Sequence, residues 1–171
     1  MPFVFIWLAI ANLFVLLLTA VFGLLADAVH PERHILLATF TLLVTVLVQA
    51  IVLTYFAATG RMLIQAVRLA RLDEQVLREA SGLKRAATRG IGLVMAAVVV
   101  TVVTGAAGWN APVRTTYHLS AAGILLLTVG YALYRQYLLV ADNAALMERT
   151  MEQYTQARAR GEAARLGSGS A

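Results

Sequence analysis

Apolar residues fall in four long blocks along the chain, separated by shorter segments that hold most of the polar residues. The blocks cover residues 3–25, 34–58, 91–109 and 117–134. A helix rises about 1.5 Å per residue, so roughly 20 apolar residues cross the hydrocarbon core of a bilayer. Each block is close to that length. The pattern predicts an all-α integral membrane protein with four transmembrane helices.

Composition supports this class and excludes several kinds of chemistry. The 171 residues are 60% hydrophobic and only 13% charged, whereas soluble domains are typically about one-quarter charged. The absence of cysteine excludes thiolate catalysis, disulfides and cysteine-ligated metal centres. No phosphate-binding loop, zinc-protease motif or nucleophile elbow occurs, so we do not expect an enzyme that acts alone.

The basic residues are unevenly distributed among the segments between the blocks. Those of the middle loop, residues 60–90, are Arg61, Arg68, Arg71, Arg78, Lys84, Arg85 and Arg89, and those of the tail are Arg149, Arg158, Arg160 and Arg165. The other two loops contain one arginine each. The positive-inside rule therefore predicts two antiparallel hairpins with the middle loop and both termini in the cytoplasm. Beside a membrane the net charge of +5 indicates lipid headgroups rather than nucleic acid.

Helices 2 and 4 are both predicted to extend into the cytoplasm. In the middle loop one apolar stripe contains Met62, Leu69, Leu72, Val76 and Leu83. A straight extension of helix 2 leaves too few residues to return to the membrane. Either a bend near residues 59–60 or an upward extension of helix 3 through residues 83–89 is therefore required.

The tail predicts a second amphipathic extension. Its apolar seam contains Val140, Ala144, Met147, Met151 and Tyr154, spaced like a short heptad pattern that can pair with another helix or a second copy. We divide the chain into a bundle over residues 1–142, which includes the cytoplasmic helical loop 60–90, a helical extension over 143–166 and a flexible tail over 167–171.

Polar side chains within the blocks are few. Asn12 and Gln49 are the amides near the middle of the first and second spans, counted from opposite ends of the hairpin that these spans form. We therefore expect the two side chains to pair and to fix the packing of the two helices. The spans contain no Asp, Glu or Lys, which disfavours ion-coupled transport. Aromatic and basic residues at the block ends are predicted to anchor the helices at the interfaces. These residues are Trp109, Tyr134, Arg135 and Tyr137.

The three histidines all fall on the outer side in this topology. His34 and His118 begin the two descending helices and are candidate axial ligands of a haem b. With His30, the same two residues form an alternative zinc or copper site, which Asp27 and Glu32 are placed to complete. Histidine is also common at helix ends without a cofactor, so a purely structural role stays open.

The residues define three function classes. The first is a non-catalytic accessory or structural subunit of a larger membrane complex or homo-oligomer, whose partners are lipid and other subunits or itself. The second is a haem-containing or quinone-linked electron-transfer subunit, and the third is a sensor that signals through its cytoplasmic helices. The run 34–67, with Tyr55-Phe56 and Thr59-Gly60-Arg61, resembles small bacterial four-span membrane proteins. That resemblance implies a bacterial cytoplasmic membrane but no activity.

Overall fold

The computed structural model describes residues 2–25, 32–107 and 112–168, and within these ranges the protein is helical apart from one turn. The helices are α1 (Pro2–Leu25), α2 (Glu32–Ala70), α3 (Gln75–Ala107) and α4 (Pro112–Ser168). All four contain stretches long and apolar enough to cross a membrane. The predicted all-α class with four such helices is confirmed.

The helices pack as a bundle around an apolar centre. Helix α3 packs most extensively on α4, and α1 contacts both α2 and α4. The centre includes Val52 and Phe56 from α2, Val94 from α3 and Leu133 from α4, all buried. Large apolar side chains also cover the outside; Leu127 is 75% exposed. In water such a surface would be unfavourable, whereas hydrocarbon solvates it.

A tight turn connects α2 to α3 and distinguishes between the two alternatives for the middle loop. Helix α2 continues past residue 58 to Ala70, and α3 begins at Gln75 rather than near residue 91. The third helix is therefore extended, and α2 has no break at residues 59–60. At the turn, the Leu72 N–H donates to the Val67 carbonyl (3.1 Å) and the Asp73 carboxylate accepts from the Gln75 N–H (2.8 Å). Asp73 thus caps the start of α3.

The predicted apolar stripe of the middle loop does not form one continuous helix face. Met62 and Leu69 are 49% and 74% exposed, whereas Leu63, Ala66 and Val67 are buried. The stripe was counted as one continuous helix through Leu72, Val76 and Leu83, but α2 ends at Ala70. Helical periodicity does not continue across a turn. The buried face of α2 up to Ala70 is instead the continuation of the face that carries Phe56 and Thr59.

Arg71 in this turn has a φ of 52°, a left-handed conformation that costs a non-glycine residue roughly 1 kcal/mol. We expect Arg71→Gly to stabilise the protein by about that amount. The matched substitution Arg68→Gly, within α2, should destabilise it by about 1 kcal/mol. Thermal unfolding in one detergent provides the comparison, and equal shifts for both variants would contradict the expectation.

Helix α4 continues through the proposed boundary at residues 142–143 without interruption. Val140 of the predicted seam is buried, but Asn143, Leu146 and Thr150 are buried as well. The buried face therefore includes polar positions that a purely apolar pattern overlooks. At the surface, Arg149 lies 3.5 Å from Glu79 of α3.

Candidate functional site

Two histidines from different parts of the chain lie together at one end of the bundle. His34 occupies the first turn of α2, and His118 lies in the second turn of α4. Their ring centroids are 6.3 Å apart, and the ring planes are inclined by 74°. The structure therefore brings together the two residues that the sequence singles out as candidate haem ligands.

Each imidazole packs against a glycine of the preceding helix. A Cβ added to Gly23 of α1 would lie 2.8 Å from Cε1 of His34, and one added to Gly105 of α3 would lie 2.9 Å from Cε1 of His118. Real Cβ contacts are not this short, so any larger residue would displace the ring. We call these two positions the glycine notches. They give both histidines the same kind of support.

The Nδ1 atoms of both histidines are buried, and neither has a hydrogen-bond partner with good geometry. The backbone of Thr19 lies near the His34 ring. An unsatisfied buried polar atom costs about 1–3 kcal/mol, and such atoms in native proteins commonly mark a function or a bound water or ion. Glycine residues thus pack against both imidazole rings, but the hydrogen bonding of the two Nδ1 atoms is incomplete.

The alternative three-histidine metal site is not assembled within the described residues. His30 and Asp27 lie outside those residues, and the Glu32 side chain is exposed. Across the part of the chain that the structure describes, no three His, Asp or Glu side chains group closely enough to hold a metal ion. His34 and His118 alone supply only two ligands.

Below the histidines, polar side chains connect α1 to α2. The hydroxyls of Thr19 and Thr41 lie 2.5 Å apart, and the Thr45 hydroxyl donates to Oδ1 of Asn12 at 2.9 Å. Asn12 and Thr45 are almost completely buried. Hydrogen bonds between membrane helices contribute on average about 0.6 kcal/mol each, so these contacts favour the pairing of α1 with α2.

A second set of polar contacts connects α2 to α4. Nε2 of Gln136 donates to Oε1 of Gln49 at 2.7 Å, and Nδ2 of Asn143 donates to the Thr59 hydroxyl at 3.0 Å. All four side chains are buried. Because the two hydrogen bonds lie at different levels of the bundle, together they fix the register of α2 against α4.

The expected pairing of Asn12 with Gln49 is wrong. Both amides are buried between helices, but Asn12 pairs with Thr45 and Gln49 with Gln136. The sequence argument missed Gln136 because it lies two residues beyond the predicted end of the fourth span. A signal was present, since Gln136 follows Val129 and Leu133 at the seven- and three-residue spacings of a buried helix face.

The predicted interface anchors are only partly described. Tyr134 and Arg135 are exposed, Tyr137 is half-buried, and Trp109 lies outside the described residues. An outward orientation at the end of a span suits residues that contact headgroups. Their position relative to a bilayer remains a prediction.

Comparisons of the chain with known protein families, with curated proteins and with solved structures find no match.

Proposed function

We propose that this chain is an integral membrane b-type haem protein that transfers electrons, with His34 and His118 as the axial ligands. The observation that carries the proposal is the convergence of these two imidazoles from α2 and α4. A haem is held in helical bundles by side chains from facing helices, which is the arrangement found here.

The number of available ligands favours haem over a bare metal ion. Structural zinc sites need four protein ligands and catalytic ones three, but only two imidazoles meet here among the described residues. A porphyrin brings four nitrogen ligands of its own, so two histidines would be enough to hold its iron. The residues present therefore fit a haem better than zinc or copper.

The spacing of the rings supports the same conclusion. A metal–imidazole bond is about 2.1 Å, so two imidazoles that held one metal ion between them would have centres roughly 6 Å apart. The observed 6.3 Å between the centroids of His34 and His118 agrees with this value. Rings in simple van der Waals contact also reach such distances, so the ligand count is needed beside it.

The protein's contribution is to orient the two rings. The glycine notches at Gly23 and Gly105 hold each imidazole against the neighbouring helix, and burial excludes water from Nδ1. A bound haem would supply one-electron chemistry, whose potential depends on the axial ligands and on how dry the site is. The donor and acceptor lie outside this chain, so we propose that it works as a subunit of a larger membrane assembly or as an oligomer.

The proposed topology is two antiparallel hairpins, with both termini and the extensions of α2, α3 and α4 in the cytoplasm. The concentration of basic residues in segments 60–90 and 149–165 supports this orientation. The histidine pair then lies on the outer side. Because the chain has no cysteine, single cysteines introduced at exposed positions can report the sidedness directly.

The primary test is a spectrum of the protein purified in mild detergent from cells supplied with a haem precursor. We expect one haem b per chain, with a Soret band and sharp α and β bands after dithionite reduction. The pyridine haemochrome assay gives the stoichiometry. A protein that is colourless, and that stays so after incubation with haemin, would overturn the proposal and favour the non-catalytic accessory subunit.

A further inference from the structure

Three amide groups near the middle of the bundle each leave one polar atom without a partner. The unpaired atoms are Nδ2 of Asn12, Nε2 of Gln49 and Oε1 of Gln136. The three residues are 0%, 2% and 1% exposed. We call them the amide cluster. Lipid offers no hydrogen bonds, so these atoms are satisfied only by something inside the protein.

The number of unpaired polar atoms does not depend on how the two glutamine amides are oriented. Gln49 and Gln136 share one hydrogen bond, from an NH₂ group to a carbonyl oxygen. Each amide has both a donor group and an acceptor. If both amides are flipped, the bond reverses and again leaves one donor group and one acceptor unused. The pair therefore requires a further partner in either orientation.

The amide cluster lies at the inner end of a polar track that begins at the histidines. Along α2, Thr41, Thr45 and Gln49 follow at intervals of four residues, so they share one face. All three are buried. Beyond Gln49, the next two buried positions on α2 are Val52 and Phe56, which are 1% and 2% exposed. An apolar stretch of α2 thus separates the amide cluster from the next buried polar residue, Thr59.

We propose that the amide cluster binds water inside the membrane-spanning bundle. Two unused donors and one unused acceptor complement a water molecule, which accepts and donates hydrogen bonds and typically makes about three of them when buried. Water is the one molecule of suitable size and chemistry that is always available to a membrane protein.

The water site is distinct from the histidine pair. Gln49 follows His34 by fifteen residues on α2, which corresponds to roughly 22 Å along a helix. The proposal therefore stands whether or not His34 and His118 bind a haem, and the two are tested by different measurements.

Water-edited solid-state NMR of the protein in lipid bilayers tests the site. With side-chain amides of Asn and Gln labelled with ¹⁵N, we expect polarisation from water to reach Asn12 and Gln49 at least threefold faster than the ¹³C-labelled methyl groups of Val52. Gln65, exposed near the end of α2, provides the fully hydrated reference. Equal build-up rates for Asn12, Gln49 and Val52 would overturn the proposal.

A variant locates the water. Replacing both glutamines, Gln49→Leu with Gln136→Leu, removes most of the polar partners, so the transfer to Asn12 should slow at least twofold. Gln65→Leu is the matched control and should leave the Asn12 signal unchanged. An unchanged Asn12 signal in the folded double variant would overturn the assignment to this cluster. If that variant does not fold, the measurement on the unsubstituted protein still decides the proposal.

Discussion

His34→Ala and His118→Ala should each lower haem affinity by at least about tenfold, because each removes one of the two proposed axial ligands; even substitutions beside metal ligands cost about 10–100-fold. A single remaining imidazole leaves iron five-coordinate, so any residual haem should shift from low spin to high spin. Optical spectra and electron paramagnetic resonance of the ferric protein measure the two effects.

Controls separate ligation from folding in this experiment. Thr39→Ala, on the exposed side of α2 near His34, should bind haem normally. Both histidine variants should remain helical and monodisperse, since each ring is only one of many bundle contacts. A full low-spin spectrum in either histidine variant would show that the residue is not a ligand.

The second large effect is expected at the glycine notches. In Gly23→Ala and Gly105→Ala the new methyl carbon would lie 2.8 Å and 2.9 Å from the imidazole, so the ring must move. Overpacking of this kind costs about 1–3 kcal/mol. Because the moved atoms are the candidate ligands, we expect haem affinity to fall by roughly 5- to 150-fold in each variant.

Gly123 and Gly92 provide matched controls, because a Cβ at either position meets nothing within 4 Å. Alanine there should stabilise its helix by up to about 1 kcal/mol and leave haem binding unchanged. Haem titration of the apoprotein, followed by optical absorption, compares all four variants. The interpretation of the notches is wrong if the variants at Gly23 and Gly105 bind haem as tightly as those at Gly123 and Gly92.

Much of the fold follows from the lengths of the apolar blocks, because membrane-spanning helices must satisfy their own backbone hydrogen bonds. What the blocks do not determine is where a helix ends once it leaves the membrane. The turn at Arg71 depends on the local capping by Asp73, which a search for periodic apolar residues does not detect. Because α2 ends at Ala70, Met62 and Leu69 do not share one helix face with Leu72, Val76 and Leu83.

In the candidate site, too, the sequence indicates some of the residues and not others. His34 and His118 stand out in the sequence because histidine is rare in this chain, which has three. The notches at Gly23 and Gly105 depend on which helices are neighbours, which spacing along the chain does not reveal. Gln136, the partner of Gln49, lies 87 residues away in sequence and just beyond the predicted end of the fourth span, so it was not considered.

Helix α4 extends over 57 residues, which corresponds to about 85 Å at 1.5 Å per residue. It carries His118 near one end and continues without a break past Thr150. A rigid rod of this kind behaves as a lever: tilting it by about 5° at His118 moves a point forty residues away by roughly 5 Å. Because α4 is one uninterrupted helix, a tilt at His118 would also displace its far end.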